Sequence, residues 1–159
     1  MNLMQKLRNA RKDKKGFTLT EMIVVLVIIV ILIALLVPTL VGYIDKAKEK
    51  SVMAEGKMVL TAAQTVVSEK YGESEPLLDS ATATPGNTTY SNITKANDAD
   101  ANDKGEIAAL AEMTKDGKAT INVENYQVIK IVYTSGGKTA TYNAPGKAPA
   151  DENDGWTVK

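Results

Sequence analysis

From Met22 to Val41 the chain is apolar at every position except Pro38 and Thr39. Twenty helical residues rise about 30 Å, the hydrocarbon thickness of a bilayer. In lipid every backbone N–H and C=O must be satisfied internally, so a single chain of this kind crosses as a helix. The segment is preceded by Lys6, Arg8, Arg11, Lys12, Lys14 and Lys15, with Asp13 the one acid among the first sixteen residues. The flank beyond it is mixed: Asp45, Lys46, Lys48, Glu49 and Lys50. The positive-inside rule puts the amino terminus in the cytoplasm and the carboxyl-terminal part outside. A cleaved secretory signal fits the basic start but not the exit. The run ends L-L-V-P-T-L-V-G, with no A-x-A-like site, and is longer than an ordinary signal core. A permanent single-pass anchor accommodates both features.

An anchor alone leaves Glu21 unexplained. This carboxylate stands at the mouth of the apolar segment, where burying a charge costs at least ~2.5–3.5 kcal/mol. An interfacial carboxylate near a helix amino terminus would gain modestly from the helix dipole. An anchor also leaves the helical pattern beyond the segment unexplained. Between Gly42 and Tyr71, Ile44, Ala47, Ala54, Met58, Ala62 and Val66 recur at helical spacing, broadened by Val59, Ala63 and Val67. Gly72 is a natural stop. Phe17 to Tyr71 would then be one helix about 80 Å long, apolar all round in its first half and amphipathic in its second, with Pro38 bending or loosening it.

The stretch K-G-F-T-L-T-E at 15–21, set between the basic start and the apolar run, resembles the prepilin signature of type IV pilins and the related pseudopilins of secretion and competence systems. Pro38 falls where members of that family commonly carry a helix-bending proline. The close resemblance spans roughly residues 14–45; the rest is similar only in layout. It implies cleavage between Gly16 and Phe17 by a membrane prepilin peptidase, which also methylates the new amine of Phe17. It implies identical or related pilin subunits as partners, an assembly ATPase with its membrane platform protein, and membrane lipid as the surroundings before assembly. Glu21 would neutralise the Phe17 amine of a neighbouring subunit in a filament cored by apolar helices. Many relatives carry a glycine within the apolar run; here Phe17–Val41 contains none, leaving Pro38 and Gly42 as the soft points.

The resulting fold expectation is α+β and pilin-like: a leader at 1–16, a transmembrane and polymerisation helix at 17–41, and an amphipathic helix at 42–72. An extracellular head at 73–159 would follow, with a small antiparallel sheet. Residues 73–104, rich in Ser, Thr, Asn and Asp, read as a long exposed loop. Glu106–Thr114 reads as a short helix. Ala119–Val123, Tyr126–Thr134 and Thr139–Asn143 read as strands, with a hairpin turn at Ser135-Gly136-Gly137-Lys138. Residues 144–155 read as loop and Trp156-Thr157-Val158 as an edge strand.

Chemistry-bearing motifs are few. The chain of 159 residues has no Cys and no His, which removes thiol catalysis, disulfides and His-based acid–base pairs. No Gly-rich phosphate loop is present, so no enzyme and no cofactor are expected. Both arginines lie in the first sixteen residues, and no basic cluster interleaved with aromatics follows, so there is no nucleic-acid motif. Asp98, Asp100, Asn102 and Asp103 resemble the start of a calcium loop. The spacing, however, wants Gly where Asp103 stands and Glu where Ala109 stands. A solvated loop is the better reading there, as for Asp151, Glu152, Asn153 and Asp154; the resemblance adds that some secretion pseudopilins bind calcium near their carboxyl-terminal loops. The role therefore lies between a pilus subunit, a pseudopilin of a type II secretion or DNA-uptake system, and a membrane-anchored extracellular module that does not polymerise.

Overall fold

The computed structural model describes residues 16–78, 83–84 and 86–159. The leader call at 1–16 thus lies outside the described residues except for Gly16. The chain divides into two compact units after Tyr43. A helix, α1 (Leu19–Glu73), supplies secondary structure to both. It starts two residues later and ends two later than the sequence suggests. Its stop uses Ser74 in the left-handed region (φ 59) rather than Gly72, with Glu75 N–H returning to Lys70 O at 2.9 Å.

In the first unit every side chain from Met22 to Val41 is exposed. Among the described residues α1 alone is long and apolar enough to cross a membrane. The helix continues through Pro38. Proline withholds the donor owed to Ala34 O, and the neighbouring Thr39 hydroxyl donates to Leu36 O at 2.7 Å.

The second unit is α+β. A five-stranded antiparallel meander runs β3 (Thr88–Thr94), β4 (Lys118–Glu124), β5 (Gln127–Ser135), β6 (Lys138–Asn143), β7 (Gly155–Val158), in that spatial order. A two-residue ribbon, β1 (Leu77–Leu78) with β2 (Ala83–Thr84), precedes it. A 3-10 turn (Lys95–Ala99) and helix α2 (Asp103–Leu110) join β3 to β4. The Ile44–Glu73 part of α1 buries Val52, Gly56, Val59, Ala62, Ala63, Val66 and Val67. They form one core with Tyr90, Ile93, Ile107, Ile121, Ile131, Tyr133 and Ala140.

The packed face is the expected one in its second half, where Val59, Ala62, Ala63, Val66 and Val67 are buried, but not in its first. Ile44 and Met58 are exposed, as are Ala47 and Ala54. The small residues Gly56, Ala62 and Ala63 take the inner line, letting the helix approach the sheet closely. A Cβ on Gly56 would sit 2.8 and 2.9 Å from Trp156 Cζ3 and Cη2. A polar contact fastens the same surface: Tyr133 hydroxyl donates to Glu55 Oε2 at 2.6 Å and shares Thr114 Oγ1 at 3.2 Å.

The stretch 73–104 is not one loop, since it supplies β3 to the sheet. Tyr90 and Ile93 are both buried although three residues apart. A bulge between them, with Asn92 at φ 56, resets the alternation. Tyr126 is likewise not a strand residue: Asn125 and Tyr126, at φ 50 and 56, form the β4–β5 turn. The Gly136-Gly137 turn (φ 56 and 78) closes β5–β6 where the sequence places it. The short helix lies at Asp103–Leu110 rather than Glu106–Thr114, because Asn102 caps it by accepting from Gly105 N–H at 3.0 Å.

Candidate functional site

The residues singled out at the start of the apolar helix are brought together by a capping box. Thr18 precedes the first helical residue, and its hydroxyl accepts from Glu21 N–H at 3.2 Å. In return Thr18 N–H donates to Glu21 Oε2 at 2.8 Å, and the Thr18 hydroxyl donates to the same oxygen at 2.8 Å. Two orphan donors of the helix start are satisfied reciprocally. Glu21 thus has a local reason to stand where it does. Its second oxygen, Oε1, has no partner among the described residues. Thr18 is the residue the sequence reading passed over, and the signal was present: T-L-T-E before an apolar run is the capping-box pattern.

Phe17 is 78 % exposed. Nothing lies within 4 Å of where a Cβ on Gly16 would stand. The isolated chain therefore sets no steric demand for glycine at that position. Pro38 lies one helical half-segment further along, in the run of exposed apolar side chains, and makes no contact with the Gly16–Glu21 group.

Residues 11–37 match the prokaryotic N-terminal methylation motif. The match spans Gly16, Phe17, Glu21 and the apolar run as far as Val37, just before Pro38. It supports a type IV pilin-like prepilin signal and, with it, processing by a prepilin peptidase. No curated protein and no solved structure matches the chain.

The calcium candidates Asp98, Asp100, Asn102 and Asp103 line one depression together with Lys70, but each is engaged by a protein partner. Asp98 pairs with Lys95 at 2.8 Å, and Asp100 Oδ2 accepts from Asn97 Nδ2 at 2.8 Å. Asn102 is spent on the α2 cap, and Asp103, 2 % exposed, accepts from the Tyr90 hydroxyl at 2.7 Å. Gly105 is required beside them, since a Cβ there would strike Asp100 O. Among the described residues no group of three or more His, Cys, Asp or Glu is placed to hold a metal ion. In the carboxyl-terminal loop, Asp154 accepts from Gly146 N–H at 2.7 Å and Ala148 N–H at 3.3 Å. Glu152 is held by Lys130 and Asn143.

Proposed function

We propose that this chain is a structural subunit of a type IV pilus or a related filament, made as a prepilin. It would be cleaved between Gly16 and Phe17, methylated on the Phe17 amine, and assembled through its apolar helix. What carries this reading is one coincidence. The methylation motif falls on residues 11–37, and the helix it covers exposes every apolar side chain while the other unit closes a core of its own. Burying such side chains is worth roughly 1.5–3 kcal/mol each, first in lipid and then in a bundle of like helices.

The chemistry of the junction fits the same sequence of events. With no steric need for Gly16 inside the chain, the demand for a bare backbone comes from outside it, from a protease drawing the peptide against its catalytic groups. Cleavage frees an amine with a reference pKa near ~8, and methylation keeps its charge. The unpaired Oε1 of Glu21 can then accept the amine of another subunit without releasing the cap that Oε2 holds. Breaking such a buried pair by removing one partner typically costs ~3–5 kcal/mol. Partners in this reading are the prepilin peptidase, sibling subunits, the assembly ATPase and its platform protein. The location is the membrane, amino terminus inside, and then the cell surface. Pilus and secretion or competence pseudopilus share this subunit plan.

The deciding experiment is the mass of the amino-terminal peptide from cells, with electron microscopy of surface fibres. A chain starting at methylated Phe17, in fibres that vanish in Glu21→Ala while cleavage continues, is the expected result. Retention of residues 1–16 would reject the reading in favour of an anchored module that never polymerises.

A further inference from the structure

The outward face of the β5–β6 hairpin holds an arrangement that neither the methylation motif nor the filament reading uses. Lys130 on β5 and Asn143 on β6 are direct cross-strand partners, which places their Cβ atoms about 4.5–5.5 Å apart on one face. Glu152, returning from the carboxyl-terminal loop, bridges them. Its Oε2 accepts from Lys130 Nζ at 2.9 Å and from Asn143 Nδ2 at 2.8 Å, and its Oε1 accepts from Lys130 Nζ at 3.1 Å. Amine, carboxamide and a carboxylate that touches both are therefore held together before any reaction. Asn143 is 1 % exposed. Its Nδ2 is fixed by two acceptors, Glu152 Oε2 and Asn153 O at 3.1 Å, while its buried Oδ1 has no hydrogen-bond partner. A purely structural asparagine would be expected to satisfy both ends.

We propose that Lys130 and Asn143 form an intramolecular isopeptide bond, with Glu152 as the proton carrier. The Lys130 Nζ lone pair attacks Asn143 Cγ, forming the Nζ–Cγ bond. Glu152 takes a proton from Nζ and delivers it to Nδ2, the nitrogen it already contacts. The Cγ–Nδ2 bond breaks and ammonia leaves. One amide replaces another, so no oxidant, reductant or cofactor is consumed. The proton that Lys130 sheds to become the neutral nucleophile passes to solvent, where the released ammonia takes one up as ammonium, so charge is conserved. Glu152 regenerates as a carboxylate.

The product would join β5 to β6 across the Gly136-Gly137 turn and give a chain with no cysteine a covalent staple of another kind. The nucleophile is the neutral amine, whereas Lys130 and Asn143 hold the Glu152 carboxyl below its usual range and so favour the ion pair. Bond formation is therefore slow at neutral pH and completes on standing or at mildly alkaline pH.

The test is peptide mapping of the full chain, purified in detergent and held at pH about 9, followed by trypsin. In the linked protein Lys130 is no longer a cleavage point. The expected product is a branched peptide, 119–138 joined to 139–147, lighter than its parts by one ammonia beyond the ordinary peptide chemistry. Lys130→Arg and Glu152→Gln, which preserve size and hydrogen-bonding capacity, should each lose the branched peptide entirely. Separate peptides 119–130, 131–138 and 139–147 of unmodified mass from the wild-type chain would overturn the proposal. A branched peptide of undiminished yield from Glu152→Gln would overturn the role given to Glu152.

Discussion

The two parts of α1 share a backbone conformation and nothing else. Residues 19–43 expose apolar side chains all round, while residues 44–73 sort theirs and bury one line of them in the sheet. The first part is mostly Leu, Ile and Val, with no glycine between Leu19 and Val41. It has no preferred face and is satisfied by any apolar surroundings. The second part places Gly56, Ala62 and Ala63 on its inner line, so that the backbone itself can approach the strands. A helix meant for lipid or for other helices needs only hydrophobicity. A helix meant for one particular sheet needs small residues where the strands come closest.

Placing the same charge in both parts should separate them most sharply. Val66→Asp puts a carboxylate into a fully buried position and should cost more than about 3 kcal/mol, abolishing a cooperative melt of the head followed by circular dichroism. Val30→Asp should leave that melt unchanged and instead hinder membrane insertion by ~2.5–3.5 kcal/mol, read by fractionation. Equal damage to the melt from both would mean the two units do not fold independently.

Next is the polar clasp of the packed part. Tyr133→Phe removes the donor to Glu55 Oε2, and a hydrogen bond to a charged acceptor is worth about 1.5–3 kcal/mol. Burial, followed by the Glu55 contact, pushes the Tyr133 hydroxyl from 10.0 up to about 12. The folded value lies above the unfolded one. The contribution is therefore whole below pH 10 and lost as pH rises from there through about 12. The difference in denaturant midpoint between wild type and Tyr133→Phe should stay constant at lower pH and shrink across that window. A constant difference throughout would contradict the clasp.

Gly56→Ala tests the close approach. Alanine gains ~1 kcal/mol in a helix interior, against an overpacking cost of ~1–3 kcal/mol. Trp156 packs against Tyr142 in a tilted arrangement, ring centroids 5.3 Å apart and planes at 40°, which limits its freedom to move aside. A net loss of about 1 kcal/mol is expected by thermal melt; a gain would show that the ring swings away freely.

These positions also show what the sequence could and could not disclose. The apolar run, the long helix, the Gly136-Gly137 hairpin and four of the strands, the Trp156–Val158 edge strand among them, are local patterns and are legible. The inner line of α1 is legible from Val59 to Val67 but not before it, where Ile44, Ala54 and Met58 continue the spacing on an exposed line and Gly56, an unlikely core residue by composition, sits under Trp156 instead. Strand β3 hides because the bulge at Asn92 breaks its alternation, and Tyr126 because a left-handed tyrosine is rare. At the candidate site, Gly16, Phe17 and Glu21 stand out as a motif, while the Thr18 cap is masked because the charge of Glu21 before an apolar run is the louder signal.

That last point yields the subtlest test. Glu21 has two duties in this reading: Oε2 caps α1 and Oε1 awaits an amine. Two substitutions part them. Thr18→Ala removes the hydroxyl that accepts from Glu21 N–H and should loosen the first turn by about 1 kcal/mol, leaving the carboxylate charged. Glu21→Gln keeps an oxygen able to accept from Thr18 N–H but removes the charge. Amide exchange in detergent should therefore rise at residues 19–21 in Thr18→Ala and change little in Glu21→Gln. If assembly depends on pairing with the Phe17 amine, fibres seen by electron microscopy persist in Thr18→Ala and fail in Glu21→Gln. If Glu21 serves only to start its own helix, the order reverses. The stability change is small, yet it decides whether the carboxylate belongs to the fold of one chain or to the contact between two.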